Sequence, residues 1–187
     1  MIEFDEKTHT YTFDKKIVPS VTQIINAILV EKFDYPEGSA ARGSKVHAIT
    51  AKIDLHNPEF EITKEVEGYI KAYTKFLSDF KPTWEHVERK IFNPEFNYAG
   101  TVDRIGRFNG MPVILDIKTG IVTPTTGCQL AAYREAYAPR KVMHRRYALH
   151  LKSEGTYKLI QYAGPMDWRI FQAALTIFRW RQNNGNT

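Results

Sequence analysis

The chain has 187 residues, 43% of them hydrophobic and 25% charged, ordinary proportions for a globular protein long enough to bury a core. No apolar run reaches the roughly 18–20 residues of a membrane span. The acidic start, Met1-Ile2-Glu3-Phe4-Asp5-Glu6, lacks the basic and apolar segments of a secretory signal, so an intracellular, cytoplasmic protein without a membrane partner is expected. Cys128 is the only cysteine, which excludes an internal disulfide, a zinc ribbon and a thiolate-held iron–sulfur cluster. A metal here must take oxygen and imidazole ligands, which favours Mg2+ or Mn2+. The formal net charge of +5 suits a polyphosphate partner.

In chain order, residues 2–18 read as a hairpin, with Ile2 and Phe4 before a polar turn, then Tyr11 and Phe13, and a short return through Ile17 and Val18. Ser20 and Gln23 form a capping box ahead of a helix carrying Ile24, Ile25, Ile28 and Leu29. Residues 31–38, with Pro36 and Gly38, read as a loop. Ser39 is expected to cap a helix running to about Leu55, with Val46, Ile49 and Ile53 on its inner face, broken by Asn57-Pro58. A further helix over 63–79 places Val66, Ile70, Tyr73 and Leu77 on one stripe.

After Pro82 the period changes. Residues 84–92 and 98–108 read as strands, and Asn109-Gly110 is the strongest hairpin turn signal in the chain. The unbroken run Val113-Ile114-Leu115 predicts a central strand buried on both faces. A helix over 126–138, stopped by Pro139, precedes strands at 143–151 and 156–162 about Glu154-Gly155. A last helix, 166–182, carries Trp168, Phe171, Leu175, Phe178 and Trp180, and residues 183–187 read as frayed. The sum is a mixed α/β layout in one domain: hairpin and helices over 1–81, a sheet core over 82–162, and a terminal helix over 163–187.

Chemistry concentrates at Asp103 and at Asp116-Ile117-Lys118. The Asn109-Gly110 turn folds their strands together, so the two carboxylates can lie close, where they repel by roughly 4 kcal/mol at about 4 Å and an effective dielectric near 20. A shared proton, a basic neighbour or a divalent cation must offset that. Alternate strand residues share a face, so Lys118 stands beside Asp116. The alternative is an ordinary Asp116–Lys118 salt bridge with Asp103 exposed. However, a charge delivered by the Pro112-to-Leu115 run has no reason to be there unless the strand carries it to a pocket.

Five blocks in order carry a resemblance: Arg42-Gly43-Ser44-Lys45-Val46-His47, Glu88 in Val87-Glu88-Arg89-Lys90, Tyr98-Ala99-Gly100-Thr101-Val102-Asp103-Arg104-Ile105, Val113 to Gly120, and Gln129-Leu130-Ala131-Ala132-Tyr133. Together they resemble the RecB-type branch of the PD-(D/E)XK nucleases, a neighbourhood that includes phage-encoded exonucleases and the mitochondrial genome maintenance exonuclease. The resemblance implies a restriction-endonuclease-like core, a central mixed sheet flanked by helices, here with an N-terminal hairpin and extra helices. It implies that Asp103, Asp116, the Ile117 backbone carbonyl and His47 hold one or two Mg2+ or Mn2+ ions, and that Lys118 orients or deprotonates the attacking water. Glu88 would be a supporting acid or a ligand to a second ion. Gln129 and Tyr133, four apart on one helix face, would bond the lysine region or a DNA phosphate.

The function so implied is phosphodiester hydrolysis by a DNA exonuclease preferring single strands or ends, in recombination, replication or repair, with a helicase or recombinase as possible partner. A structure-specific endonuclease and a non-cleaving DNA-binding module are the alternatives. Arg42, Lys45, Lys90, Arg104, Arg140-Lys141 and Arg145-Arg146 are candidate phosphate contacts, and Phe33, Tyr35 and Tyr69 candidate base-stacking groups. No nucleotide cofactor is expected, since no phosphate-binding loop is present. His9, His56, His86 and His144 show no ligand spacing.

Overall fold

The computed structural model describes residues 2–5, 8, 10–29, 37–57, 59–137 and 142–185. It contains β1 (Ile2–Asp5), β2 (Thr10–Phe13), β3 (Lys16–Val18), α1 (Val21–Ile28), α2 (Ser39–Asp54), α3 (Lys64–Phe80), β4 (Thr83–Asn93), β5 (Tyr98–Phe108), β6 (Met111–Lys118), α4 (Thr125–Tyr137), β7 (Arg145–Leu151), β8 (Tyr157–Tyr162) and α5 (Asp167–Asn184). The chain is α/β: β4 to β8 form a five-stranded mixed sheet in sequence order, and β1–β3 a separate three-stranded antiparallel sheet. Only β6 and β7 run parallel, and α4 supplies the crossover that a parallel pair requires. Expected loop and cluster residues at 31–36 and 139–141, Phe33 and Tyr35 among them, fall outside the described residues, as does His9.

Two apolar layers clamp the large sheet. On one side Ile24 of α1, Leu130 of α4 and Phe171 of α5 meet Ile105 and Ile114. On the other, Val46 of α2 and Tyr73 and Phe76 of α3 meet Val113, Leu115 and Ile117. Strand β6 is third of five and its residues 113–117 are all buried, in agreement with the apolar run. The Asn109-Gly110 turn has positive φ at both residues, 48° and 79°, the conformation that Gly and Asn adopt most readily.

At Ser20 the hydroxyl accepts from the Gln23 backbone at 3.1 Å while Gln23 Oε1 accepts from the Ser20 backbone at 2.9 Å, completing the capping box. At α2 the expectation fails. Gly38, at φ 76°, is the N-cap, and Ser39 is already helical with no side-chain cap, because a left-handed entry favours the residue without a Cβ. Asn183 and Asn184, expected to fray, close the last turn of α5. Trp180, grouped with the apolar residues of that helix, is 64% exposed.

Strand β5 changes its facing at the site. Gly100 and Val102 face the α4 layer, so regular alternation would send Arg104 there too. Instead Arg104 bonds Thr50 and Asp54 of α2, and Phe108 joins the α3 layer. The break falls at Asp103. On β4, between the paired positions Val87↔Arg104 and Arg89↔Val102, Glu88 adopts φ 51°. A left-handed non-glycine residue inside a strand costs on the order of 1–3 kcal/mol, and such strain clusters at functional sites.

Candidate metal centre

Pairing between β5 and β6 ends at Arg104↔Leu115. Asp103 and Asp116 are the next residue along each strand, at the point where the strands part. Both are buried, at 7% and 3% exposure, so the exposed-Asp103 alternative is excluded. Asp103 Oδ2 accepts from the Ile117 backbone N–H at 2.6 Å, and its Oδ1 lies 3.5 Å from His47 Nδ1. Helix α2 delivers His47 across the open end of the strands.

Ligand atoms of His47, Glu88 and Asp103 all lie within 4.8 Å of one another, so this group could hold a metal ion. Asp116 lies outside that group. Its Oδ2 is 2.9 Å from Lys118 Nζ yet has no aligned hydrogen-bond donor. The Lys118 ammonium offsets part of the charge that Asp116 and Asp103 bury together, and a cation bound beside Asp103 would offset the rest. At Ile117 the structure assigns a role to the N–H, as the group that fixes Asp103. The residue also lines the adjoining cavity. Glu88, expected as a supporting acid or as a ligand to a second ion, belongs to the group with His47 and Asp103, on a left-handed backbone that no local pattern announces.

Lys118 reaches the site from β6 and donates to Gln129 Oε1 at 3.0 Å, and Gln129 Nε2 donates to the Tyr133 hydroxyl at 3.0 Å. The Gln-x-x-x-Tyr pair therefore braces the lysine, one of the two contacts expected of it. Tyr133 is also 3% exposed and part of the core. Gly100 makes this possible, because a Cβ there would come within 2.7 Å of Tyr133 Cε1.

Beneath the site lies Arg104, fully buried. Its guanidinium bonds the Asp54 carboxylate, Glu88 Oε1 at 3.1 Å, Thr50 Oγ1 at 3.1 Å and the Asp103 carbonyl at 2.7 Å. Tyr73 donates to the same Asp54. Arg104 is thus no DNA contact, contrary to expectation. Neither is Arg146, which bonds the Gly127 and Gly164 carbonyls and pairs with Asp167 at 2.9 Å. In both cases burial demanded partners that lie far off in sequence. Lys45 pairs with Glu65 at 2.9 Å, Lys90 lies over the Phe4 ring, and Tyr69 is buried in the α3 layer.

The charges set one another. Burial pulls the His47 pKa down, but the Asp103 carboxylate, with Asp116 and Glu88, outweighs it and pushes it up to about 9. Burial and the Asp103 charge raise Glu88 to about 7 against Arg104 and His47. Burial also works to raise Asp103, but His47 and the Ile117 N–H hold it below the usual carboxylate range. Asp116 is held above that range by burial and Asp103, with Lys118 opposing. Lys118, despite burial, is raised by Asp116.

No protein-family model matches the chain, and no curated protein matches it. Among the described residues no helix is long and apolar enough to cross a membrane.

Proposed function

We propose that this protein is a divalent-metal-dependent deoxyribonuclease with the PD-(D/E)XK core of the RecB-type branch, acting as an exonuclease on single strands or DNA ends. The observation that carries this reading is the meeting of Asp103, Asp116 and Lys118 with His47 and Glu88 where β5 and β6 part. One imidazole among carboxylates is a donor set for Mg2+ or Mn2+, and a cation there would offset the repulsion between the buried Asp103 and Asp116 carboxylates.

His47, Glu88 and Asp103 would hold the ion, joined by Asp116. When bound, it supplies Lewis-acid polarisation of the phosphodiester and acidifies the attacking water. Ile117 N–H fixes one oxygen of Asp103 and leaves the other toward His47. Lys118, braced by Gln129 and Tyr133, orients the water and offsets negative charge as its oxygen bonds to phosphorus. The P–O bond to the departing strand breaks, and the proton released by the attacking water passes through solvent to that oxygen.

The test is digestion of end-labelled linear DNA and of a single-stranded circle with Mn2+, with and without chelator. Chelator-sensitive loss of the linear strand with the circle intact is expected. Intact linear DNA overturns the enzyme reading, and a cut circle replaces exonuclease by endonuclease.

A further inference from the structure

Beside Lys118 a cavity of about 390 Å3 opens between the β6–α4 connection, α1 and the start of α2. Its described lining includes His47 and Lys118 of the metal centre, with Asn26, Arg42, Thr119 and Thr125. Cations and neutral donors face it, and no carboxylate is among the described lining residues. The cavity also receives the first turns of two long helices, with Ser39 and Ala40 opening α2 and Thr125 and Thr126 opening α4, where the helix dipole favours negative charge.

Arg42 gives this charge pattern a centre. Its Nε is buried and has no hydrogen-bond partner, and it forms no ion pair among the described residues. Its guanidinium carbon lies 5.6 Å from the centroid of the Tyr69 ring, a contact that holds the planar group in place. A guanidinium fixed on an aromatic face and lacking an acceptor is matched by the paired oxygens of a phosphate. We infer that this cavity binds a phosphate group of the nucleic-acid strand next to the scissile bond, with Arg42 as its principal contact. The nucleic-acid strand as ligand rests on the nuclease reading; the anion site rests on the cavity alone.

The test measures binding of a fluorescent single-stranded oligonucleotide by anisotropy in chelator, so that cleavage plays no part. Arg42→Met keeps the stem on Tyr69 and removes the fork. It is expected to weaken binding about tenfold, and to flatten the log–log salt dependence by about 0.7, the share of one phosphate contact on a single strand. Arg42→Lys keeps the salt slope and recovers part of the affinity. Asn26→Asp, on exposed α1 surface, places a carboxylate in the cavity and is expected to weaken binding comparably, so the inference stays testable should Arg42→Met not fold. Melting temperature and Mn2+ binding of the Arg42 variants should equal those of the unsubstituted protein.

Oligonucleotides with and without a terminal phosphate separate the two sources of the group. A larger Arg42 effect with the terminal phosphate assigns the cavity to a strand end, and an equal effect assigns it to an internal diester. Binding and salt slope unchanged in both Arg42→Met and Asn26→Asp overturn the site. Arg42-dependent binding without any hydrolysis in Mn2+ overturns the nuclease reading and leaves the site standing.

Discussion

Asp103 accepts a hydrogen bond from the backbone N–H of Ile117 at 2.6 Å, so a carboxylate of one strand replaces the ladder bond that its neighbour loses as the strands part. The same carboxylate faces His47 at 3.5 Å. One side chain therefore both ends a sheet pairing and belongs to a group that could hold a cation.

Stability without metal should fall as pH rises. His47 titrates near 9 when folded and near 6.5 when unfolded. A raised folded pKa gives a contribution complete below pH 6.5 that is lost as pH rises through about 9. Glu88, at about 7 when folded against about 4.3 unfolded, adds a loss of the same sign between roughly pH 4.3 and 7. Urea denaturation in chelator from pH 5 to 9 should show a steady decline, reduced above pH 6.5 in His47→Gln. With Mn2+ present the trend should reverse, because the ion must displace the His47 proton. A flat profile in chelator would contradict these assignments.

Arg104→Met should be severely destabilising. It strands the Asp54 carboxylate, whose side chain is 2% exposed, and breaking a buried pair on one side costs about 3–5 kcal/mol. Adding Asp54→Asn removes the stranded charge and should recover a substantial part of the loss. Denaturant midpoints of the two single variants and the double variant check this. Additive losses would mean that the pair is not coupled.

The Lys118–Gln129–Tyr133 chain makes a graded prediction for the proposed hydrolysis. Gln129→Leu removes a hydrogen bond to a charged group, worth about 1.5–3 kcal/mol, and should lower kcat/KM roughly tenfold or more. Tyr133→Phe removes only a neutral bond and should cost less than about tenfold. Equal effects, or a larger one for Tyr133→Phe, would argue against Lys118 as the group being braced.

How much of this was legible in the sequence follows the range of each interaction. Ser20 with Gln23, Asn109-Gly110 and the β6 apolar run are local signals, and each element formed where its residues indicate. Asp103, Asp116 and Lys118 could be placed together because one hairpin joins their strands, and Gln129 and Tyr133 were placed beside them only by the resemblance to the nuclease family. Arg104 was misread as a phosphate contact because Asp54, fifty residues earlier, neutralises it through packing of α2, and no local pattern announces that. Arg42 is a candidate phosphate contact and Glu88 a candidate acid of the site by sequence, but the cavity around the first and the central place of the second have no local signal. The first depends on how α2 meets the β6–α4 connection, and the second on a left-handed residue (φ 51°) that a strand pattern does not foretell.

The most direct measurement is calorimetric titration of Mn2+ into the chelator-stripped protein and into Asp103→Asn. That variant keeps the shape and an acceptor for the Ile117 N–H while removing the charge that faces His47. The expected result is saturable binding of one or two ions to the unsubstituted protein, weakened at least about tenfold in a variant that melts cooperatively. No binding by the unsubstituted protein, or equal binding by both, would contradict a metal centre at Asp103.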